Sequence, residues 1–310
     1  MQIEETMGVA ATRSGVVALV GRPNAGKSTL LNAFLGEKLS IVTARPQTTR
    51  EAVRGILTDG DTQIVFVDTP GLLEPQYLLQ RSMHLEACTA LADADVVLLL
   101  LDATRPGEVL RAETTAVLRR RRDALLVAIS KIDAGRSDAL RAHEMWAARE
   151  LGCEALYISA EQDQGLDVLL DRIRAQLPPG PFLYPQDDLA VRSVRFFVAE
   201  LIRETVFEMY EQEVPYATAV RIETYRESED PVYIQATIYV ERNSQKGILI
   251  GAGGDRLKEL GVRAREKIEA FIGARVFLDL WVKTLAGWRR KAQSLKYLGY
   301  PVPPDSGGDV

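Results

Sequence analysis

The sequence predicts two domains in series: an α/β domain built on a doubly wound, mostly parallel sheet, then a smaller α+β domain. Three observations predict it. Apolar strand-like runs alternate with helical patterns through about residue 177. The span "LPPGPFLYPQDD" (177–188), with four prolines and a glycine, then stops that alternation. Beyond it the pattern changes to a helix followed by strands of strict alternation. A chain of 310 residues has room for both.

In chain order, "GVVALVG" (15–21) reads as a first strand and "KSTLLNAFLG" as the helix after it. "TQIVFVDTPG" (62–71), "DVVLLLLDA" (95–103), "ALLVAISKID" (124–133) and "EALYISA" (154–160) read as four more strands, buried on both faces because their apolar runs are continuous. Helical patterns such as "LEACTALADA" and "ALRAHEMWAARELG" separate them. After the proline span come a helix over about 189–211, strands "YATAVRIETYRE" and "PVYIQATIYVER", the segment "KGILIGAGGDRLKELG", a helix "VRAREKIEAFIG" and a strand "RVFLDLWVK". The expected organisation is a flexible N-terminus (1–14), an α/β domain (15–177), a proline-rich linker (178–188), an α+β domain (189–300) and a flexible tail (301–310).

Composition sets bounds on function. The chain is 46% hydrophobic and 26% charged, ordinary for a globular protein. Its two cysteines, Cys88 and Cys153, form no CxxC pair, which argues against a disulfide framework or zinc site and for a reducing cytoplasm. The N-terminus lacks the basic start and apolar core of a secretory signal. The longest apolar run, "VVLLLL" (96–101), is far short of the ~18 residues of a membrane span. Net charge is −5, yet residues 242–300 carry 13 Lys+Arg against 5 Asp+Glu, while residues 1–189 carry 20 against 26. That asymmetry joins a basic module to an acidic one, and charge alone leaves two readings of the basic module, a nucleic-acid-binding face and an ordinary solvated surface.

"GRPNAGKS" (21–28) fits G-x-x-x-x-G-K-[ST] between a strand and a helix. Glycines there let backbone N–H groups wrap phosphates at a helix N-terminus. Lys27 supplies charge to the β and γ phosphates, and Ser28 a hydroxyl to Mg²⁺. In "VFVDTPG" (65–71), Asp68 at a strand end suits Mg²⁺ through water, and Gly71 can lend an N–H to the γ-phosphate. Between them "RPQTTR" (45–50) places two threonine hydroxyls on a polar loop.

"AISKIDAG" (128–135) falls where the base would be read. The Asp133 carboxylate can accept from guanine N1–H and its 2-amino group, contacts adenine cannot supply, each worth roughly 1.5–3 kcal/mol. Lys131 can lay its stem over the base, and the Ala160 N–H can meet guanine O6. Ser130 stands where asparagine is usual. Being shorter, it is expected to keep the preference for GTP at a cost of about 1 kcal/mol in affinity.

"ILIGAGGDRL" (248–257) contains G-x-x-G as Gly251-Ala252-Gly253-Gly254, the loop with which KH domains clamp about four nucleotides. The helix–strand–strand–helix–helix–strand order around it is that of type II KH domains. Ile248, Ile250 and Leu257 are expected to floor an apolar base groove, with charge from Lys246, Arg256 or Lys258 because the loop itself has no basic residue.

"GRPNAGKSTLLNAFLG", "QTTR", "DTPGL", "PFLYP" and the second domain through "LDLWVKTLAGW…SLKYLGY" together resemble the Era family of ribosome-assembly GTPases over residues 14–300. The resemblance implies an Era-type P-loop GTPase domain followed by a type II KH domain. It implies GTP or GDP held by Gly21, Arg22, Pro23, Asn24, Ala25, Gly26, Lys27, Ser28, Thr29, Asp68, Thr69, Pro70, Gly71, Ser130, Lys131, Ile132, Asp133, Ser159 and Ala160. Thr49, the second threonine of Q-T-T-R, would join Ser28 on Mg²⁺. Leu72 stands where a Ras-like enzyme holds its water-orienting glutamine, so hydrolysis should be slow. Asn24 matches the asparagine with which related GTPases hold an activating K⁺. The implied partners are the 3′ region of 16S rRNA and the 30S subunit, with no DNA, from a cytoplasmic monomer that also visits the inner membrane peripherally. No amphipathic stretch here supports that last point independently.

Competing readings are an RNA-binding module with a structural nucleotide, a Der-like GTPase and a trafficking GTPase. Intact Lys27, Ser28, Thr49 and Asp68 oppose the first. A single GTPase domain and a retained G-x-x-G oppose the second, and the C-terminal module opposes the third. His84 and His143 read as isolated rather than metal-binding, "RRRR" (119–122) as a solvated helix end, and Trp281 and Trp288 as packing residues.

Overall fold

The computed structural model describes residues 12–43, 45–105, 107 and 110–303. The expected flexible N-terminus otherwise falls outside them, as do residues 304–310 of the expected tail. The chain divides into two compact units. The first holds residues up to Lys38, Val53–Thr69 and Thr89–Val191. The second holds Leu39–Ala52, Pro70–Cys88 and residues from Arg192 onward.

The first unit is a six-stranded sheet in the order β2-β3-β1-β4-β5-β6. Its strands are β1 (Arg13–Gly21), β2 (Val53–Asp59), β3 (Thr62–Asp68), β4 (Val96–Asp102), β5 (Leu125–Ser130) and β6 (Ala155–Tyr157). All neighbours are parallel except β2, which runs antiparallel to β3. Every residue of β3 and β4 is buried, as continuous apolar runs in a covered parallel sheet require. Helices α1 (Lys27–Leu35), α3 (Ala112–Arg120), α4 (Ser137–Trp146) and α5 (Leu166–Gln176) join the strands. A sixth strand, β2, was not anticipated. Its sequence, "VRGILTD", neither alternates cleanly nor runs apolar, and it is an edge strand defined by pairing with β3.

Register decides where the site lies. Leu19 stands opposite Asp68, Gly21 opposite Leu100, and Asp102 opposite Ser130. The C-terminal ends of β1, β3, β4 and β5 therefore open at one edge, the place where such sheets bind ligands.

Two expectations about boundaries change. Arg13 and Ser14 belong to β1 rather than to a flexible leader. The proline-rich span groups with the first unit and is tied to it: the Gly180 N–H donates to the Thr12 carbonyl at 2.9 Å. Ser14 donates to the Pro181 carbonyl at 2.6 Å, and the Gln63 side-chain oxygen accepts from the N–H groups of Leu183 and Tyr184. Prolines end the helix, but their carbonyls and neighbouring amides remain free to bond to the sheet edge.

The second unit contains α6 (Val194–Met209), β7 (Ala219–Arg226), β8 (Val232–Val240), α7 (Asn243–Ile250), α8 (Asp255–Ile272), β9 (Val276–Thr284) and α9 (Ala292–Leu298). The six elements from α6 to β9 follow the anticipated order; α6 is shorter than expected at both ends. The sheet order is β7-β8-β9, with β7 antiparallel and β9 parallel to β8. One face of β8 (Val232, Ile234, Ala236, Ile238, Val240) packs on Val198, Ile202 and Val206 of α6 and Leu260, Ala264 and Ile268 of α8. On the other face Trp288, Leu295 and Tyr300 cluster with Ala219, Tyr239, Leu79 and Met83. Leu79 and Met83 lie on α2 (Leu78–Asp93), which the division cuts after Cys88. The ordered start of the expected tail belongs here too, since the Pro301 carbonyl accepts from Ser82.

Candidate functional site

In the first unit the phosphate loop bends through left-handed conformations at Asn24 (φ 65°) and Gly26 (φ 88°), the second capping α1. Gly21 is needed for closeness: a Cβ there would lie 2.6 Å from the Leu100 carbonyl. Lys27 is buried, its ammonium donating to the carbonyls of Arg22 at 3.1 Å and Gly21 at 3.4 Å. Burial pushes its pKa down to about 8, against the pull of Asp68 and with help from Lys131. A cation held dry among carbonyls and beside a second cation is electrostatically suited to an anion.

Next to it the Ser28 hydroxyl donates to the fully buried Asp68 carboxylate at 2.6 Å. Two hard oxygen donors in contact beside a lysine form the donor set Mg²⁺ prefers, and the residues fit that ion. The Thr69 hydroxyl points elsewhere, donating to the Leu19 carbonyl at 2.7 Å, so its side chain secures β3 to β1. Ala25 is buried.

A narrow cleft is lined by Gly26, Thr29, Ser130, Lys131, Asp133 and Ala160, with Leu100 and Ile158 beside them, which brings the expected base-reading residues together. Asp133 is exposed at its mouth. Ser130 is buried and donates to the Ala25 carbonyl at 2.8 Å, with the Leu101 carbonyl at 3.1 Å. The short side chain therefore braces the base loop directly against the phosphate loop. Lys131 (φ 59°) sends its ammonium to the Asn24 carbonyl and to Asp102 at 2.8 Å, leaving its stem beside Gly26. Burial would raise the Asp102 pKa, but hydrogen bonds from Lys131 and Thr104 hold it below the usual carboxylate range. Asp102 is a site residue that sequence reasoning missed. Its only signal was an acid at a strand end, the same place as Asp68. Ser159 is buried in a closed turn whose N–H and carbonyl both pair with Gln164, which presents Ala160 to the cleft.

Thr49 and Gly71 belong to segments that group with the second unit. Thr49 sits between two anchors there. The Thr48 carbonyl accepts from fully buried Arg203 at 2.5 Å, and Arg50 donates to the carbonyls of Thr218, Tyr216 and Pro215 at 2.6, 3.0 and 3.2 Å. Arg50 also lies 5.7 Å from the centroid of the Trp288 ring. Q-T-T-R thus carries a structural arginine whose role no local pattern revealed.

The second candidate site is a cleft of about 410 Å³ between α8 and β9. Gly254 opens it at φ 88° as the cap of α8. Leu257, Val262, Leu278 and Leu280 line it, with Lys258 and Arg265 at the rim. Of the expected floor, Leu257 lines this cleft. Ile248 is exposed and outside the lining, and Ile250 packs toward the core, because α7 is helical and turns these two positions apart. Arg256 stacks over Tyr210 at 5.7 Å rather than entering the cleft, and Lys246 is not part of the lining. Val262, Arg265, Leu278 and Leu280 were missed because only the fold brings β9 beside α8.

Three readings of single residues also resolve. Trp288 is fully buried, as expected, but Trp281 is 54% exposed and is not a packing residue. His143 is buried with its Nε2 3.0 Å from the Asp102 carbonyl. The "RRRR" run is a largely solvated helix end, as expected: Arg119, Arg120 and Arg122 are exposed, and only Arg121 is half-buried, against the Ala92 and Ala94 carbonyls.

Comparison with known proteins finds two domains in series. A family model described as 50S ribosome-binding GTPase matches residues 16–131, and one described as KH domain matches residues 213–289. Two solved structures match nearly the whole chain. One is a point variant of Era from Aquifex aeolicus bound to GDP·AlF4⁻; the other is Era in complex with MgGDPNP and nucleotides 1506–1542 of 16S ribosomal RNA. Each is 35% identical, covers 94% of this chain and 100% of its own, and superposes with a TM-score of 0.85. This chain belongs to the Era family. Its first unit carries the P-loop GTPase fold and its second the KH fold of that family. The Era assignment makes Ser130 a local departure within an intact base loop, since its hydroxyl still reaches the phosphate loop.

Proposed function

We propose that this Era-family chain is a GTP-binding, GTP-hydrolysing switch that binds the 3′ region of 16S rRNA through its KH domain and assists 30S subunit assembly. The observation that carries the reading is the Ser28–Asp68 pair at 2.6 Å beside buried Lys27, in one unit with the Ser130–Asp133 cleft. The Era structures with GDP·AlF4⁻ and MgGDPNP support a guanine nucleotide and Mg²⁺ as its ligands.

On this reading Lys27 contacts the β and γ phosphates, the N–H groups of residues 24–29 wrap them, and Asp133 reads guanine. Ser28, Thr49 and, through water, Asp68 would hold Mg²⁺, which supplies charge neutralisation across the two phosphates. Leu72 cannot orient water, so turnover is slow and the protein works as a timer. Asn24 would ligate an activating K⁺. Equal GTPase rates in Na⁺ and K⁺ would remove that ligand from the scheme. Loops carrying Thr49 and Gly71 order on GTP and release after hydrolysis.

The RNA assignment rests on the G-x-x-G cleft, the basic balance around it and the 16S segment in the Era complex. Among the described residues no helix is long and apolar enough to cross a membrane. A cytoplasmic monomer with peripheral membrane contact completes the reading. The decisive experiment is crosslinking and sequencing of bound RNA in the GTP and GDP states. Enrichment of the 16S 3′ end supports the proposal; enrichment of 23S rRNA, mRNA or tRNA without it refutes the assignment.

A further inference from the structure

The β7-β8-β9 sheet has a second face, opposite its core. Trp288 and Leu295 cover the end near Tyr239. The other end is open and aromatic: Phe277 is 57% exposed and Trp281 54%. Phe277 stacks on Tyr233 with ring centroids 5.8 Å apart and planes 12° apart, and the Arg226 guanidinium lies 5.1 Å from the Tyr233 ring centroid. One carboxylate organises the patch. Asp279 accepts from Trp281 Nε1 at 3.0 Å, Gln235 Nε2 at 3.1 Å and the Tyr233 hydroxyl at 3.4 Å. Stacking and hydrogen bonds thereby orient Phe277 and Trp281 at the surface of this unit.

We propose that this open face is a stacking platform for single-stranded RNA that continues out of the G-x-x-G cleft. The inference rests on the RNA reading of that cleft. Continuity carries it: β9 is an edge strand, and Phe277 both lines the cleft and begins the platform. Phe277 and Trp281 are four residues apart on one strand, so they share a face and stand roughly 13 Å apart, leaving room for a base on each and one between. Aromatic rings with an arginine beside them are the surface that unpaired bases use, because every base has a face to stack. Ring orientation set in advance by Asp279 lowers the ordering cost of binding. The carboxylate is screened by three donors, and its remaining acceptor capacity suits a cytosine or guanine amino group rather than a phosphate.

The test uses the full-length protein and two labelled RNAs with one core sequence, four and ten nucleotides long, at fixed salt. The ten-mer should bind more tightly by roughly fivefold or more for each base stacked on the platform. Trp281→Ala should abolish that gain and leave the four-mer unchanged, while Trp281→Phe keeps part of it. Emission of Trp281, the exposed one of three tryptophans, should fall with the ten-mer and not with the four-mer. An equal loss of affinity for both lengths in Trp281→Ala, no loss for either, or unchanged emission with bound ten-mer would overturn the platform while leaving the cleft reading intact. Failure of the parent protein to bind either RNA would overturn both.

Discussion

Lys27 offers the most direct test of the nucleotide site, through protons. Its ammonium is dehydrated by burial and lies near Lys131, and its pKa falls to about 8. Phosphates of a bound nucleotide would give it an anionic partner and return it to the fully charged form. At pH 8 about half of the nucleotide-free protein carries a neutral Lys27, so binding GDP should take up about half a proton there and almost none at pH 7. Affinity should scale with the protonated fraction, roughly 0.9 at pH 7 and 0.25 at pH 8.5, a loss of about fourfold or 0.8 kcal/mol. Titration calorimetry in buffers of different ionisation enthalpy measures the uptake, below the range in which guanine itself deprotonates. Proton uptake near zero at pH 8, with affinity flat from pH 7 to 8.5, would show that Lys27 does not meet the phosphates or is not dehydrated. The same group bears on stability with the opposite partner. Because the folded pKa lies below the unfolded one, the unfolded chain binds more protons between about pH 8 and 10.5, so the nucleotide-free protein gains stability as pH rises through that window.

Three further outcomes are expected. Ser130→Ala removes the donor to the Ala25 carbonyl and should weaken GTP and GDP together by about 1 kcal/mol, roughly fivefold, in equilibrium binding; unchanged affinities would mean the brace is dispensable. Arg50→Ala strips the donor from three carbonyls in the second unit and should cost about 3 kcal/mol in denaturant unfolding, with a loss below 1 kcal/mol contradicting the anchoring role. Glu51 has its pKa raised to about 7 by burial, partly offset by Arg192, so the folded state binds the extra proton between about pH 4.5 and 7 and its contribution is lost as pH rises through that window. Glu51→Gln should flatten the fall in stability over that range by up to about 3 kcal/mol, and an unchanged pH profile would remove Glu51 as its source.

Local motifs were legible because their chemistry is local. A phosphate loop needs its glycines, lysine and serine within eight residues of one strand–turn–helix, so "GRPNAGKS" states it in full; the G-x-x-G loop does the same for the second domain. Strands buried on both faces announce themselves as apolar runs, whereas β2, an edge strand with mixed faces, does not. The Ser130 question could be posed from sequence but not answered there. Whether a short hydroxyl reaches the phosphate loop depends on β5 ending opposite Ala25, and the structure sets that distance at 2.8 Å.

Sequence alone determined the two domain types and the phosphate-loop and G-x-x-G motifs within them, since each depends on residue type and short spacing. Tertiary structure alone decided which residues line the cleft between α8 and β9, which partners Arg50 and Asp102 bond, and that Trp281 is a surface ring rather than a core one. In each case the partner lies many residues away, such as β9 beside α8, Thr218 beside Arg50 and Asp102 beside Lys131. Residue type marks Trp281 and Trp288 alike as large apolar positions; only the packing of α9 and residues 285–288 over one end of the sheet buries Trp288 and leaves Trp281 exposed.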